Sequence, residues 1–86
     1  MNEIAYRIAE VLVHNKDYFR HSMSLEYIKS KNMDKKDAIL YIEDALMLKI
    51  AENTKFSPVE IEEAFCDERV KVVISKCFTR EFQYEH

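Results

Sequence analysis

The sequence predicts an all-α fold, a small single domain of four to five helices that spans residues 1–86. Three observations support this prediction. The chain has 86 residues, and a chain of this size buries roughly 60 to 65% of its unfolded surface, which suffices for one modest core. Glycine is absent and Pro58 is the only proline, so the usual residues of tight β-turns are missing. Apolar residues recur at steps of three and four, the spacing of an amphipathic helix.

The longest helical pattern runs from Asp34 to Ala51 and predicts the central core helix. Its apolar stripe consists of Ile39, Ile42, Leu46 and Ile50, with Ala38 and Ala45 beside it. Asp34 stands at the N-cap position, where its carboxylate can accept hydrogen bonds from the free amides of the first turn. Asp37 adds a second acid at the positive end of the helix dipole.

Two shorter helices precede the central one. The first runs from Asn2 to about Asn15, with Asn2 as its cap and Ile4, Ile8, Val11 and Leu12 on its apolar face. It either continues and places Phe19, with or without Tyr18, on the same face, or it ends and leaves these aromatic residues to plug a loop onto the core. The second begins after Ser22 or Ser24 and reaches about Lys31, and Asn32 and Met33 form the link that follows it.

The tetrad Ser57-Pro58-Val59-Glu60 predicts the start of a fourth helix, which continues to Phe65. Serine at the N-cap, proline at the first helical position and glutamate three residues after the serine form a capping box. Phe56 precedes the cap, where it can pack against Ile61 as a hydrophobic staple.

A fifth helix begins after Asp67, which is its predicted cap. Its apolar positions are Val70, Val73, Ile74, Cys77, Phe78 and Phe82. The alternative is a strand through Val70, Val72 and Ile74, because valine and isoleucine favour pleated surfaces. The helical pattern covers more residues and is preferred.

The helices before residue 32, the link, and the stretch YIEDALMLKIAEN resemble the helix-turn-helix core of winged-helix domains. The resemblance covers about the first two-thirds of the chain. It implies a vestigial wing, with Leu48–Ala51 as the first strand, Glu52 and Asn53 as the turn, and Thr54–Phe56 as the return strand. A plain bundle of four or five helices explains the same pattern without a wing.

This resemblance also implies one candidate function, a winged-helix transcription regulator that binds DNA. The residues that would read DNA are Lys35, Lys36, Leu40 and Tyr41. Asp34, Asp37 and Asp44 offset the two lysines, and the net charge of −3 also disfavours contact with phosphates.

No residue pattern indicates an enzyme, a metal site or a cofactor. The internal nitrogen and sulfur ligands are His14, His21, Cys66 and Cys77, and their spacing fits no zinc motif. Cys77 falls in the apolar stripe of the fifth helix, and acids near Cys66 disfavour a thiolate. Both cysteines are therefore expected to be buried free thiols.

The distribution of charge favours a small interaction protein, such as an adaptor, inhibitor or anti-activator. Between Glu52 and Glu68 there is one lysine against six acids. The acidic helix is expected to bind a basic surface of a protein partner through Glu60, Glu62, Glu63, Asp67 and Glu68. The aromatic residues available as anchors are Phe65, Phe78, Phe82 and Tyr84.

The remaining expectations concern location and assembly. No apolar run is long enough to span a membrane, and the N-terminus shows no basic-then-apolar signal pattern. The sequence therefore predicts a soluble cytoplasmic protein. A homodimer is possible if exposed apolar residues of the fifth helix pair with a second copy.

Overall fold

All of the described secondary structure is helical, which confirms the predicted all-α class. The computed structural model describes residues 3–23 and 25–83, without the side chains at 26, 81 and 83. Its seven helical segments are α1 (Glu3–His14), α2 (Lys16–Met23), α3 (Leu25–Ser30), α4 (Lys35–Asn53), α5 (Pro58–Ala64), α6 (Glu68–Cys77) and α7 (Arg80–Gln83). Five of these segments, α1, α2, α4, α5 and α6, have seven residues or more.

The helices enclose one hydrophobic core. The radius of gyration is 12.5 Å, close to the value of about 12 Å expected for a compact chain of this length. Side chains from α1 to α6 and from the turn after α6 fill the core. The largest are Phe19, Phe78, Ile8, Leu12, Ile28, Ile42, Leu46, Ile50, Ile61 and Val70.

The junction between α1 and α2 follows neither sequence-based alternative fully. Helix α1 ends at His14, and after Asn15 the chain becomes helical again. The Asn15 backbone N–H and side-chain amide both donate to the Val11 carbonyl, at 3.1 and 2.9 Å. Phe19 on α2 is buried, whereas Tyr18 is exposed. The expected cap at Asn2 lies outside the described residues.

The turn from α3 to α4 depends on a left-handed residue. Asn32 has φ 53°, a conformation that asparagine tolerates better than most residues other than glycine. Ser22 does not cap α3, because it lies within α2, where its hydroxyl donates to the Phe19 carbonyl at 3.0 Å. The alternative cap at Ser24 lies outside the described residues.

Helix α4 is the predicted central helix, with two differences. Asp34 occupies the N-cap position, but its carboxylate makes no capping hydrogen bond, so the predicted side-chain cap is wrong. Its backbone carbonyl instead accepts from Ala38 N at 2.9 Å, and the side chain is exposed, where water can solvate it. The buried stripe is Ala38, Ile42, Leu46 and Ile50, and Ile39 is only half-buried.

The predicted wing is wrong. Residues 48–53 continue α4, and no strand occurs within residues 3–23 and 25–83. The chain leaves the helix at Thr54, whose backbone is extended and whose hydroxyl donates to the Ile50 carbonyl at 2.7 Å. Residues 48–53 include no glycine, the residue usual in a tight hairpin turn, and this composition favours the continued helix over a hairpin.

The start of α5 is the predicted capping box. The Ser57 hydroxyl accepts from Glu60 N at 3.2 Å, and the Glu60 carboxylate accepts from Ser57 N at 2.8 Å. Pro58 occupies the first helical turn. Asp67 likewise caps α6, with its carboxylate accepting from Arg69 N at 2.9 Å.

The segment after Asp67 is helical, so the alternative strand through residues 70–74 is wrong. The helix is shorter than predicted, because α6 stops at Cys77 and the four-residue α7 follows. The Phe78 ring packs edge-on against Phe19 with centroids 6.4 Å apart. The Arg20 guanidinium donates to the Cys77 carbonyl at 2.6 Å, so contacts with α2 accompany the end of α6.

Candidate interaction site

An apolar groove of about 440 Å³ lies between α1 and α6. Ala9 and Val73 contribute to its lining, and three other apolar side chains in it are substantially exposed. Tyr6 is 50% exposed, Val13 43% and Val72 40%. Isolated exposed apolar residues are ordinary on a protein surface, but several that share one concavity indicate a binding site.

The sequence of α1 builds one wall of this groove. Tyr6, Ala9 and Val13 follow one another at steps of three and four, so they lie along one side of the helix. The small side chain between the two larger ones leaves a depression. Arg69, Val72 and Val73 form the α6 wall.

Four ionisable residues also line the groove. Glu10 and His14 come from α1, and Glu68 and Arg69 come from α6. The Arg69 guanidinium lies 5.8 Å from the centre of the Tyr6 ring, in a cation–π contact. With that cation placed over the ring, the carboxylates of Glu10 and Glu68 are the groups best suited to meet a basic partner.

A second groove, of about 480 Å³, lies on the other side of α6, toward α4. Ile39 and Glu43 come from α4, and Lys71 and Val72 are among the residues of α6 that face them. Burial raises the pKa of Glu43, and the neighbouring Asp44 raises it further, whereas the positive charge of Lys71 lowers it. This groove mixes charges of both signs and is less apolar than the first.

The five acids predicted to bind a partner are divided among different roles. Glu60 and Asp67 bond to the backbone as helix caps. Glu62 and Glu63 are exposed on α5, and Glu68 is exposed beside both grooves. Only Glu68 among the five therefore lines the apolar groove.

The predicted aromatic anchors are mostly unavailable to a partner. Phe65 and Phe78 are buried in the core, and Phe82 is half-buried against it. Tyr84 lies outside the described residues. Sequence reasoning missed Tyr6 and Val13, although their seven-residue spacing along α1 was a detectable signal.

The residues predicted to read DNA all lie on the exposed surface of α4. Lys35 and Lys36 are in its first turn, and Leu40 and Tyr41 follow one turn later. Asp37 lies in the same part of the helix and is also exposed. The helix thus presents these residues together, with a carboxylate among them.

The candidate metal ligands are dispersed. Within residues 3–23 and 25–83, no three His, Cys, Asp or Glu side chains come together as a metal site. Cys66 and Cys77 are free thiols, and Cys66 is exposed, contrary to the expectation that both are buried. The short turn between α5 and α6 leaves its side chain at the surface.

No protein-family model, curated protein or solved structure matches this chain. None of the helices in the described part of the chain has both the length and the apolar content needed to cross a membrane. The structure therefore defines the chain as an all-α globule with an apolar surface groove, and the function is argued from that groove.

Proposed function

We propose that this protein is a small non-enzymatic interaction protein that binds a basic, amphipathic helix of a protein partner in the α1–α6 groove. The observation that carries the proposal is the grouping of Tyr6, Val13 and Val72, all partly exposed, around one apolar concavity. Grooves between helices commonly receive the apolar face of another helix.

The dimensions of the groove support a helical occupant. Val13 follows Tyr6 by seven positions, which is about 10 Å along α1 at 1.5 Å per residue. This length corresponds to about two helical turns, so two or three apolar side chains of a partner helix would fit, at positions i, i+3 or i+4, and i+7.

Negative charge beside the groove favours a partner helix with basic residues on either side of its apolar face. Glu10 and Glu68 lie beside the apolar surface, where lysine or arginine of a partner would meet them. Glu62 and Glu63 add negative charge on α5, which packs against α1. A partner of the same negative sign would be repelled, so these acids favour specificity and the rate of association.

Photo-crosslinking tests the proposal directly. A photoreactive amino acid replaces Val13 in the groove, and a control carries it at Val59, which is 63% exposed on α5 and does not line the groove. We expect the groove position to capture a protein segment with a helical apolar pattern and flanking basic residues. That segment is then made as a peptide, and its affinity for the parent protein is measured by calorimetry.

Two charge-reversed variants complete this test. Glu68→Lys should lower the affinity for the peptide about tenfold, which corresponds to roughly 1.4 kcal/mol of binding free energy. Lys55→Glu reverses a charge outside the groove and should leave the affinity unchanged. The proposal is wrong if Val13 and Val59 capture the same molecules, or if the captured molecule is nucleic acid.

DNA binding by a helix-turn-helix without a wing is a second candidate. It is favoured by the left-handed Asn32 between α3 and α4, which supplies the sharp turn that such motifs require. Exposed Lys35 and Lys36 at the start of α4 would then contact phosphates. Retention of the parent protein on duplex DNA with a steep salt dependence, lost in the Lys35→Glu/Lys36→Glu variant, would establish this function instead.

A further inference from the structure

Helix α4 carries apolar side chains on both of its sides. One side forms the core stripe described above. On the opposite side Leu40, Tyr41 and Leu48 are 50%, 41% and 60% exposed, and the half-buried Met47 and the exposed Ala51 lie beside them. Neighbouring exposed apolar side chains bordered by polar residues mark an interaction surface, so this outer face of α4 is a candidate for a second binding surface.

Acidic side chains are distributed along the same outer face. Asp37 and Asp44 are exposed and fall between the apolar residues by helical spacing. Glu52 follows two turns after Asp44, with Lys49 3.5 Å from its carboxylate. Lys36 lies at one edge of this face, one turn before Leu40, whereas Asp37 and Asp44 lie nearer its middle. The middle of the face is therefore apolar and negatively charged, which favours positive charge on a partner that covers it.

A second copy of the chain would bring like charges together in two arrangements of this face. In a parallel pair of α4 helices, Asp37 would lie against Asp37 of the second copy, and Asp44 would lie against Asp44. In an antiparallel pair centred on Asp44, the two Asp44 carboxylates would meet, and Asp37 would lie near Glu52 of the second copy. Like charges placed in such contacts oppose association.

We propose that the outer face of α4 is a second docking surface, and that it binds a basic amphipathic helix of a protein partner. The face extends about 21 Å from Asp37 to Ala51, at 1.5 Å per residue, so the occupant is a helix of about four turns. Its apolar side chains pack on Leu40, Tyr41 and Leu48, and its lysine or arginine residues meet Asp37 and Asp44. The α4–α6 groove and α6 separate this face from the apolar α1–α6 groove. This proposal rests on α4 alone and does not depend on the function assigned to that groove, but together the two surfaces would let one chain bridge two helices.

The test uses two designed helical peptides of about four turns. Both carry leucine at helical spacing on one face, and their flanks carry lysine in one peptide and glutamate in the other. Affinity for the full-length protein is measured by fluorescence anisotropy. We expect the lysine peptide to bind and the glutamate peptide to bind at least about tenfold more weakly, because only the first complements Asp37 and Asp44.

Matched variants locate the binding surface. Asp44→Lys reverses one exposed acid on α4, and Asp17→Lys makes the same change of charge on α2, outside both grooves. Only the α4 variant should lose about tenfold in affinity for the lysine peptide. Leu48→Ser should weaken binding similarly, whereas Val59→Ser should not, although the two side chains are 60% and 63% exposed.

Circular dichroism checks that every variant keeps its helical content. The proposal is overturned if the lysine peptide does not bind, if both peptides bind equally, or if the charge-reversed variants of α4 and α2 lose the same affinity. It is also overturned if sedimentation shows that the parent protein forms dimers that Leu48→Ser dissociates, because a second copy would then cover the face. Loss of peptide binding only on Val13→Ser, a substitution in the α1–α6 groove, would assign the peptide to that groove and would equally refute the α4 surface.

Discussion

The substitution Ser57→Ala isolates one hydrogen bond of the capping box at the start of α5. The Ser57 hydroxyl accepts from Glu60 N at 3.2 Å, and this bond is lost in the variant. The reciprocal bond, from Ser57 N to the Glu60 carboxylate at 2.8 Å, uses the backbone of residue 57 and survives. Ser57 is exposed, so little apolar burial changes at the same time.

The expected loss follows from this geometry. Replacing a serine N-cap by alanine destabilises a helix by about 1 kcal/mol. For a domain of this size, 1 kcal/mol corresponds to a decrease of about 4 to 8 °C in melting temperature. Pro58→Ala removes no hydrogen bond and mainly frees the unfolded chain, so it should cost about 0.5 kcal/mol.

Thermal unfolding followed by circular dichroism measures both effects. Ser57→Asp serves as the control, because aspartate also accepts from the amides of the first turn and should keep most of the stability. If Ser57→Ala and Pro58→Ala lowered the melting temperature equally, or if Ser57→Asp were as unstable as Ser57→Ala, the capping bond would not be the source of stability.

Three other substitutions test the core, the α3–α4 turn and the α4–α6 groove. Ile42→Asp places an unpaired charge at a fully buried position. Burying this charge costs several kcal/mol against a total stability of about 4 to 13 kcal/mol, so the variant should not fold. A sharp melting transition in this variant would contradict the central position of α4. Asn32→Ala should destabilise the protein by about 1 kcal/mol and Asn32→Gly should not, because residue 32 has φ 53° and alanine is strained in the left-handed region. Urea unfolding of both variants measures this difference, and equal unfolding midpoints would refute it. Burial raises the pKa of Glu43, so the native state binds this proton more tightly than the unfolded state, and the stability contributed by protonation is lost as the pH rises through the native pKa. Glu43→Gln should therefore be more stable than the parent at pH 7, by up to about 0.5 kcal/mol. This advantage should vanish below the ordinary pKa of glutamate. Equal stability of the two proteins at pH 7 would mean that the attraction of Lys71 outweighs the effect of burial on the Glu43 carboxylate.

Local features of the chain were predictable because their causes are local. The capping box needs only the residue types at positions 57 to 60, and the aspartate cap of α6 needs only Asp67 and the amides that follow it. The central helix was recognisable from apolar residues that recur at helical spacing in successive turns. These patterns are set by backbone geometry, whichever elements pack against them.

The side-chain cap at Asp34 is a local prediction that was wrong. Other wrong predictions concern the ends of elements and the exposure of side chains, which depend on neighbours distant in sequence. Helix α6 was expected to continue to Phe82, but it stops where Phe78 packs against Phe19 and the Arg20 side chain bonds to the Cys77 carbonyl. The preference for a helix over a strand through residues 70–74 was confirmed. The β-propensity of valine and isoleucine reflects packing on a sheet surface, and no sheet exists among residues 3–23 and 25–83.

The candidate site was less predictable than the fold. Sequence reasoning treated the five acids as one surface, although it also assigned Glu60 and Asp67 to helix caps, and the structure confirms these two cap roles. The groove between α1 and α6 joins residues about sixty positions apart, such as Tyr6 and Arg69. No periodicity within either segment could indicate which sides would face each other.

The sequence by itself determined the all-α class, the central helix and the capped start of α5, because composition, spacing and capping act over a few residues. The tertiary structure alone decided which apolar residues remain exposed. Val70 and Val72 are close in sequence and equally apolar, yet the first is fully buried and the second lies 40% exposed at the groove. The difference arises because helix packing buries only the side of α6 that faces the core, and the orientation of that side depends on the contacts of α6 with α1 and α7.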